Sequence, residues 1–264
     1  MPTQYDSIGI NYDTLNSVPI QQIQHVAMRK LLDPLTSSTR VLELACGTGF
    51  YTRQLLSCGA SHVTALDISS SMISAAQKAL RAEMKEHACF YVADCARRDM
   101  WDNSELEAQK GTFDVVVTAW LLNYAATGEE MQSMFENIYA ALKPGGRFIA
   151  LTVHAAIIDK FQFDDPLNEG EKYLGTVYNV IGRVGDGFKM CCRAFGEPKI
   201  EWEFYFLREE VYSKAAVNAG MGRLEWTVVL PEEKHLRSLG EKYWQPYLDR
   251  PKAAICMSRK PDPE

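Results

Sequence analysis

The run Val41-Leu42-Glu43-Leu44-Ala45-Cys46-Gly47-Thr48-Gly49 is an apolar strand that enters a glycine turn, and the residues behind it can open a helix. Such a junction seats a ligand. Gly47 and Gly49 carry no Cβ, so the main chain can take left-handed angles and approach a bound molecule, while the free N–H groups of a helix start face the same spot. A dinucleotide pyrophosphate calls for a third glycine three residues after Gly49, and Thr52 stands there instead. The turn therefore reads as a seat built from backbone polarity rather than a phosphate cradle.

Acidic residues after the next two apolar runs extend this edge. Residues 62–66 lead into Asp67, and residues 90–93 lead into Asp94. In an open α/β sheet the carboxyl ends of the strands share one edge, so the glycine turn, Asp67 and Asp94 fall in line along it. A carboxylate at Asp67 suits a ribose diol, and an acceptor at Asp94 suits the exocyclic amine of adenine. Taken singly, each acid also reads as a helix N-cap or turn former. Met72, one turn into the helix after Asp67, can lay a thioether on an adenine face or fill the core.

The elements that position these residues follow from apolar spacing. Ile20, Ile23, Val26, Ala27, Leu31 and Leu32 recur at helical intervals before Pro34. Further helices are predicted over 51–58, over 70–86, and over 129–142, where Lys143-Pro144-Gly145-Gly146 stops the chain. Strands are predicted at 113–118 and 147–153, the former so continuously apolar that it belongs in the middle of a sheet. This alternation demands a mostly parallel sheet with helices on both faces, an α/β fold. Beyond 153 it lapses into short β-like pieces among glycines, then resumes with a helix at 208–219 and strands near 224–230 and 253–258. The chain reads as one domain: N-terminal cap helices at 1–35, a ligand-binding core at 36–154, a cap insertion at 155–206, and the end of the sheet at 207–264.

Five segments carry a family likeness: V-L-E-L-A-C-G-T-G at 41–49, A-L-D-I-S-S-S-M at 65–72, V-A-D-C at 92–95, F-D-V-V-V-T-A-W-L-L-N-Y-A at 113–125, and L-K-P-G-G-R-F at 142–148. In this order the chain resembles the class I S-adenosylmethionine-dependent methyltransferases. The pairs Tyr5-Asp6 and Tyr12-Asp13 and the stretch 121–125 further resemble the branch that contains toxoflavin synthase and related natural-product methyltransferases. The resemblance implies a Rossmann-like seven-stranded sheet with an antiparallel last strand, S-adenosylmethionine as cofactor, and no metal. It implies methyl transfer to a nitrogen or oxygen of a small aromatic or heterocyclic metabolite by in-line displacement. Cofactor contacts are then expected from Tyr5, Tyr12, Glu43, Ala45, Gly47, Gly49, Asp67, Ile68, Met72, Asp94, Cys95, Thr118, Ala119 and Trp120. The amino-acid end would lie over the glycine turn near Tyr12 or Arg53, and the faces of Tyr5, Tyr12, Trp120 and Tyr124 would flank a sulfonium. Two other classes stay open: a cofactor-binding regulator without turnover, and a nicotinamide-dependent oxidoreductase, which Thr52 and Asp94 disfavour.

A general base is needed only for an acceptor that must lose a proton. Plant O-methyltransferases similar to this core place a histidine after the fourth strand, and Asn123 occupies that place. His154, directly after the fifth strand, is the remaining candidate, and with Tyr12 and Tyr124 it forms the candidate catalytic set. His25, His62, His87 and His235 read as surface or sheet-flank residues. Aromatic residues crowd the cap, among them Phe161, Phe163, Tyr173, Tyr178, Trp202 and Phe204, which suits a flat acceptor or simply fastens the cap to the core.

A formal charge of −6 argues against a groove for nucleic acid, which needs clustered basic surface. Seven cysteines show no zinc spacing and fit reduced thiols. No leader or membrane-length apolar run is read in the sequence, so a cytoplasmic protein acting on a small molecule as monomer or homodimer is expected.

Overall fold

In the computed structural model, which describes residues 3–33, 35–160, 175–194 and 199–263, five apolar runs become parallel strands. These are β1 (Arg40–Leu44), β2 (His62–Asp67), β3 (Ala88–Val92), β4 (Phe113–Ala119) and β5 (Leu142–Val153). A separate antiparallel sheet of β6 (Thr176–Val184), β7 (Gly187–Ala194) and β8 (Ile200–Leu207) follows, and β9 (Glu225–Val228) and β10 (Ala253–Arg259) return to the first sheet. The large sheet runs β3-β2-β1-β4-β5-β10-β9, with β10 antiparallel to both neighbours. The expected seven-stranded, mostly parallel Rossmann-like sheet is thus the one observed.

Helices cover both of its faces. They are α1 (Gln4–Ile8), α2 (Pro19–Leu32), α3 (Phe50–Ser57), α4 (Ser70–Ala79), α5 (Ser104–Glu107), α6 (Gly128–Ala141), α7 (Glu209–Asn218), α8 (Glu233–Leu239) and α9 (Glu241–Asp249). Strand β4 shows why the run 115–117 is apolar on both faces. Val116 joins Phe135, Phe148 and Tyr212 on one face, while Val115 and Val117 join Ile20, Ile23 and Trp244 on the other.

Three local readings are corrected. Helix α4 stops at Ala79 instead of running to residue 86, because Leu80 turns extended and buries its side chain, and residues Ala82–His87 follow as a 3-10 helix. Burial here overrides a sequence of good helix formers. Strand β5 begins at Leu142, earlier than expected: the Gly145 amide donates to Lys260 O at 2.9 Å and the Lys260 amide donates to Gly146 O at 3.0 Å, so the glycine pair joins the sheet as well as ending a helix. Helices α8 and α9 were not foreseen; Pro246 masks the second, which is anchored by fully buried Trp244 and Tyr247.

The N-terminal segment is tied to the cap rather than to the large sheet alone. The Gln4 side-chain amide donates through Nε2 to Glu203 O at 3.0 Å and accepts through Oε1 from Glu203 N at 2.9 Å, pairing with edge strand β8 as a neighbouring strand would. Leu15, Ala194 and Ile200 make a small apolar cluster between the two. Phe161, Phe163 and Tyr173 lie outside the described residues. Among the described residues no helix is long and apolar enough to cross a membrane.

Candidate functional site

The carboxyl edge of the large sheet holds unusual backbone. Ala45, just past β1, has φ of 56°, and Trp120, just past the neighbouring β4, has φ of 66°. Left-handed angles are uncommon outside glycine and mark places where the surrounding structure fixes the chain. Gly47 and Gly49 follow at φ of 54° and 75°. A Cβ on Gly49 would come within 3.0 Å of Ala76 Cβ, so this glycine lets the loop lie on α4. A Cβ on Gly47 would meet nothing within 4 Å, which leaves bare main chain facing open space.

One carboxylate fixes this loop. Asp67, the last residue of β2 and 6% exposed, accepts from Gly47 N at 2.8 Å through Oδ2 and from Ser69 N at 2.9 Å through Oδ1. Burial raises its pKa above the ordinary carboxylate value, against the pull of those two amides. Ser69 in turn caps α4 by accepting from Met72 N, and its hydroxyl donates to Asp6 Oδ1 at 2.6 Å. The Thr48 hydroxyl donates to Asp13 Oδ1, and Arg53 donates to Thr48 O at 2.9 Å, so Arg53 braces the loop backbone. Beneath the loop, Glu43 is 2% exposed and accepts from the Thr52 hydroxyl, and burial pushes its carboxyl up to about 8. Thr52, the residue in place of a third glycine, seals that buried acid.

Two cavities meet over this edge at Tyr5, Ala45, Asp67 and Tyr124. The larger, of about 470 Å³, is bordered by Ile68, Asp94, Cys95 and Ala96 on the sheet side and by Lys189, Glu203 and Tyr205 of the cap. Lys189 and Glu203 form an ion pair across β7 and β8. The smaller, of about 90 Å³, is bordered by Gly47, Thr48, Met72, Ala119 and Trp120, with Tyr12 and His25 opposite. Most of the expected contact residues therefore converge. Gly49, Glu43 and Thr118 border neither cavity; the Thr118 hydroxyl donates to Leu44 O at 2.8 Å and ties β4 to β1. His154 is also elsewhere: its Nδ1 donates to Pro251 O at 2.9 Å, and it borders neither cavity.

The roof is aromatic. The Tyr5 and Tyr124 hydroxyls are hydrogen-bonded, the Tyr5 ring meets Tyr12 edge-on at 5.8 Å, and Tyr12 meets Trp202 of β8 at 6.2 Å. Burial pushes all three phenols up, so they keep their protons at neutral pH.

Sequence reasoning passed over two residues. His25, taken for a surface residue, stacks on Phe50 at 4.0 Å and borders the smaller cavity, where burial pushes it down to about 4 and keeps it neutral. Asn137 is buried and donates to Cys95 O at 3.1 Å and Arg97 O at 2.7 Å, holding the loop after β3. An amide as short as Asn137 next to the apolar stripe Met131, Met134, Phe135 and Ile138 was the available signal.

A methyltransferase-domain family model matches residues 41–146. The chain is 30% identical over 187 residues to a ubiquinone/menaquinone biosynthesis C-methyltransferase of Ruegeria sp., covering 69% of this chain and 66% of that one. It is 31% identical over 189 residues to a demethylmenaquinone methyltransferase of Lactiplantibacillus plantarum, covering 68% of this chain and 71% of the relative. The chain belongs to the S-adenosylmethionine-dependent methyltransferases. A crystal structure of such an enzyme from Mesorhizobium loti superposes with a TM-score of 0.62 at 17% identity, over 93% of this chain and 99% of the other. The chain spans 35 to 66% of the length of four of the curated relatives that it matches.

The site of this methyltransferase fits its cofactor. Gly47 offers main chain that no side chain covers, a buried carboxylate stands where two cavities join, and an aromatic roof closes over them. These are the surfaces that an amino-acid end, a ribose and a sulfonium respectively require.

Proposed function

We propose that this methyltransferase places a methyl group on a nitrogen or oxygen of a small aromatic or heterocyclic molecule held between the glycine loop and the aromatic roof. The observation that carries this reading is the row of rings of Tyr5, Tyr12, Tyr124 and Trp120 against the two joined cavities, with Trp202 packed edge-on behind Tyr12. In this reading Asp67 holds the ribose diol, with Ile68, Asp94 and Cys95 around the adenine, and the loop from Ala45 to Gly47 meets the amino-acid end. S-adenosylmethionine supplies a methyl group already activated on a sulfonium, which leaves the chain to bind, align and exclude water.

Apart from Asp67, which this reading gives to the ribose, the residues around the smaller cavity are poor proton acceptors. Its phenols and Cys46 are pushed up by burial and hold their protons, whereas His25 is pushed down to about 4. His154 is turned to Pro251 O. The acceptor must then arrive with a free electron pair, as a neutral nitrogen or an oxygen ionised in solution.

Incubation with methyl-labelled cofactor and a panel of small heteroaromatic amines, phenols and a quinol tests the reading. Label should appear in an amine or phenol product. Label on a ring carbon of the quinol, with none in any amine or phenol, would favour a carbon acceptor, the class named for the Ruegeria relative. Tight binding of S-adenosylhomocysteine with no labelled product from any acceptor would favour a silent binding protein.

A further inference from the structure

A third cavity adjoins the smaller of the two and shares Tyr12, Gln21 and Trp120 with it. Its other walls are the rings of Tyr178, Trp202 and Phe204 from the cap, and Asn123 stands among them. Its volume of about 20 Å³ admits a group the size of a water or an amine, not a ring. Asn123 is 3% exposed, and its Oδ1 is buried with no hydrogen-bond partner. An unpaired buried carbonyl oxygen is costly, and none of the hydroxyl or N–H donors on the chamber walls bonds to it.

We propose that this chamber is the head-group subsite of the methyl acceptor and selects a neutral amine whose N–H donates to Asn123 Oδ1. The inference rests on the small-molecule reading above and names the acceptor's chemistry within it. Gln21 borders both cavities and is half-buried, so the head enters the chamber while the body of the acceptor stays on the Gln21 side. A hydroxyl could also donate to Oδ1, but it would remain neutral and weakly nucleophilic, because neither amide in the chamber can take its proton and the phenols of Tyr12 and Tyr178 keep theirs. A neutral amine keeps its lone pair while one N–H is held. Its nitrogen forms the new bond to carbon as the carbon–sulfur bond breaks with its electron pair staying on sulfur, and the surplus proton passes to water. Positive charge that gathers on nitrogen then sits among ring faces. The Lys252 ammonium already lies over the Tyr178 ring at 4.1 Å, which sets the chamber against an acceptor that arrives as a cation.

The test measures binding, apart from turnover, with S-adenosylhomocysteine saturating. Aniline, toluene and phenyltrimethylammonium are titrated against the whole protein by ligand-detected NMR. The proposal expects aniline to bind roughly tenfold tighter than toluene, the preference to vanish in Asn123→Leu, and phenyltrimethylammonium to bind no better than toluene. Asn123→Asp, which keeps an acceptor oxygen and the side-chain shape, should retain the aniline preference and decides the matter if Asn123→Leu does not fold. Equal affinity for aniline and toluene, a preference that survives Asn123→Leu, or tightest binding of the quaternary cation overturns the subsite. If the preference stands but neither an amine nor a phenol is ever methylated, the functional reading fails while the chamber remains an amine-binding site. If acceptors without N–H are methylated and no preference exists, the reverse holds.

Discussion

The two sides of the cleft are built on opposite principles. On the floor, position is set by backbone: Ala45, Gly47 and Gly49 take left-handed angles, and Asp67 joins the Gly47 and Ser69 amides through one carboxylate. In the roof, position is set by ring faces from α1, the following 3-10 turn and β8, fastened by the Gln4 amide and a small apolar cluster. Hydrogen bonds of fixed geometry tolerate almost no substitution, whereas apolar faces tolerate another ring of similar size. The floor should thus be intolerant and control the cofactor, and the roof should be adaptable and control the acceptor.

The sharpest way to break this contrast is Asp67→Ala. Two amides lose a charged acceptor, each hydrogen bond to a charged group being worth about 1.5–3 kcal/mol, so affinity for S-adenosylhomocysteine should fall at least ~10-fold in calorimetry. Affinity equal to the wild type would mean that the loop holds its shape without the carboxylate.

The two glycines divide the floor further. Alanine at either position pays about 1–2 kcal/mol for a left-handed angle. Only Gly49→Ala also presses on Ala76, so urea unfolding should show the larger loss of stability there. Gly47→Ala pushes its methyl into open space beside the cavity and should instead weaken S-adenosylhomocysteine several-fold at a smaller cost in stability. The reverse ranking would place the ligand away from Gly47.

In the roof, Trp202→Phe keeps a ring near Tyr12 and gives up part of an edge-on contact worth about 0.5–1.5 kcal/mol. S-adenosylhomocysteine affinity should stay within about twofold while the KM of an accepted substrate rises. A parallel loss of cofactor affinity would show that floor and roof are not separable.

The floor was also the more legible half. Its glycines, acids and flanking strands are adjacent in sequence, and each occupies a position whose physics is local: the end of a strand, the start of a helix, a left-handed turn. Gly47, Asp67 and Asp94 could therefore be placed on one edge before any coordinates. The roof is assembled from residues almost 200 apart, such as Gln4 and Glu203, and no local rule pairs them. His25 and Asn137 failed for the same reason, since what matters about each is a neighbour contributed by another element. Glu43 shows the limit within the floor. Sequence puts it beside the glycine turn, but alternation along β1 leaves it under the loop, where Thr52 closes it off.

Glu43→Gln turns that last difference into a measurement. The carboxyl sits at about 8 in the fold, so it is largely protonated at neutral pH and glutamine reproduces its shape and charge. S-adenosylhomocysteine affinity at neutral pH should not change, the smallest binding effect of the series. Stability should separate the two proteins as pH rises. The unfolded carboxyl ionises near 4.5 while the folded one holds its proton to about 8, so the unfolded state has fewer protons across that window. The contribution of this group to wild-type stability therefore declines from about pH 4.5 to 8, by no more than about 1.4 kcal/mol per unit, and levels off above. The glutamine variant lacks this slope. Urea unfolding at about pH 5 should find the pair nearly equal, and at about pH 9 should find the variant more stable. Parallel profiles would mean that the buried acid ionises in the fold as it does in water, and that Thr52 does not seal it.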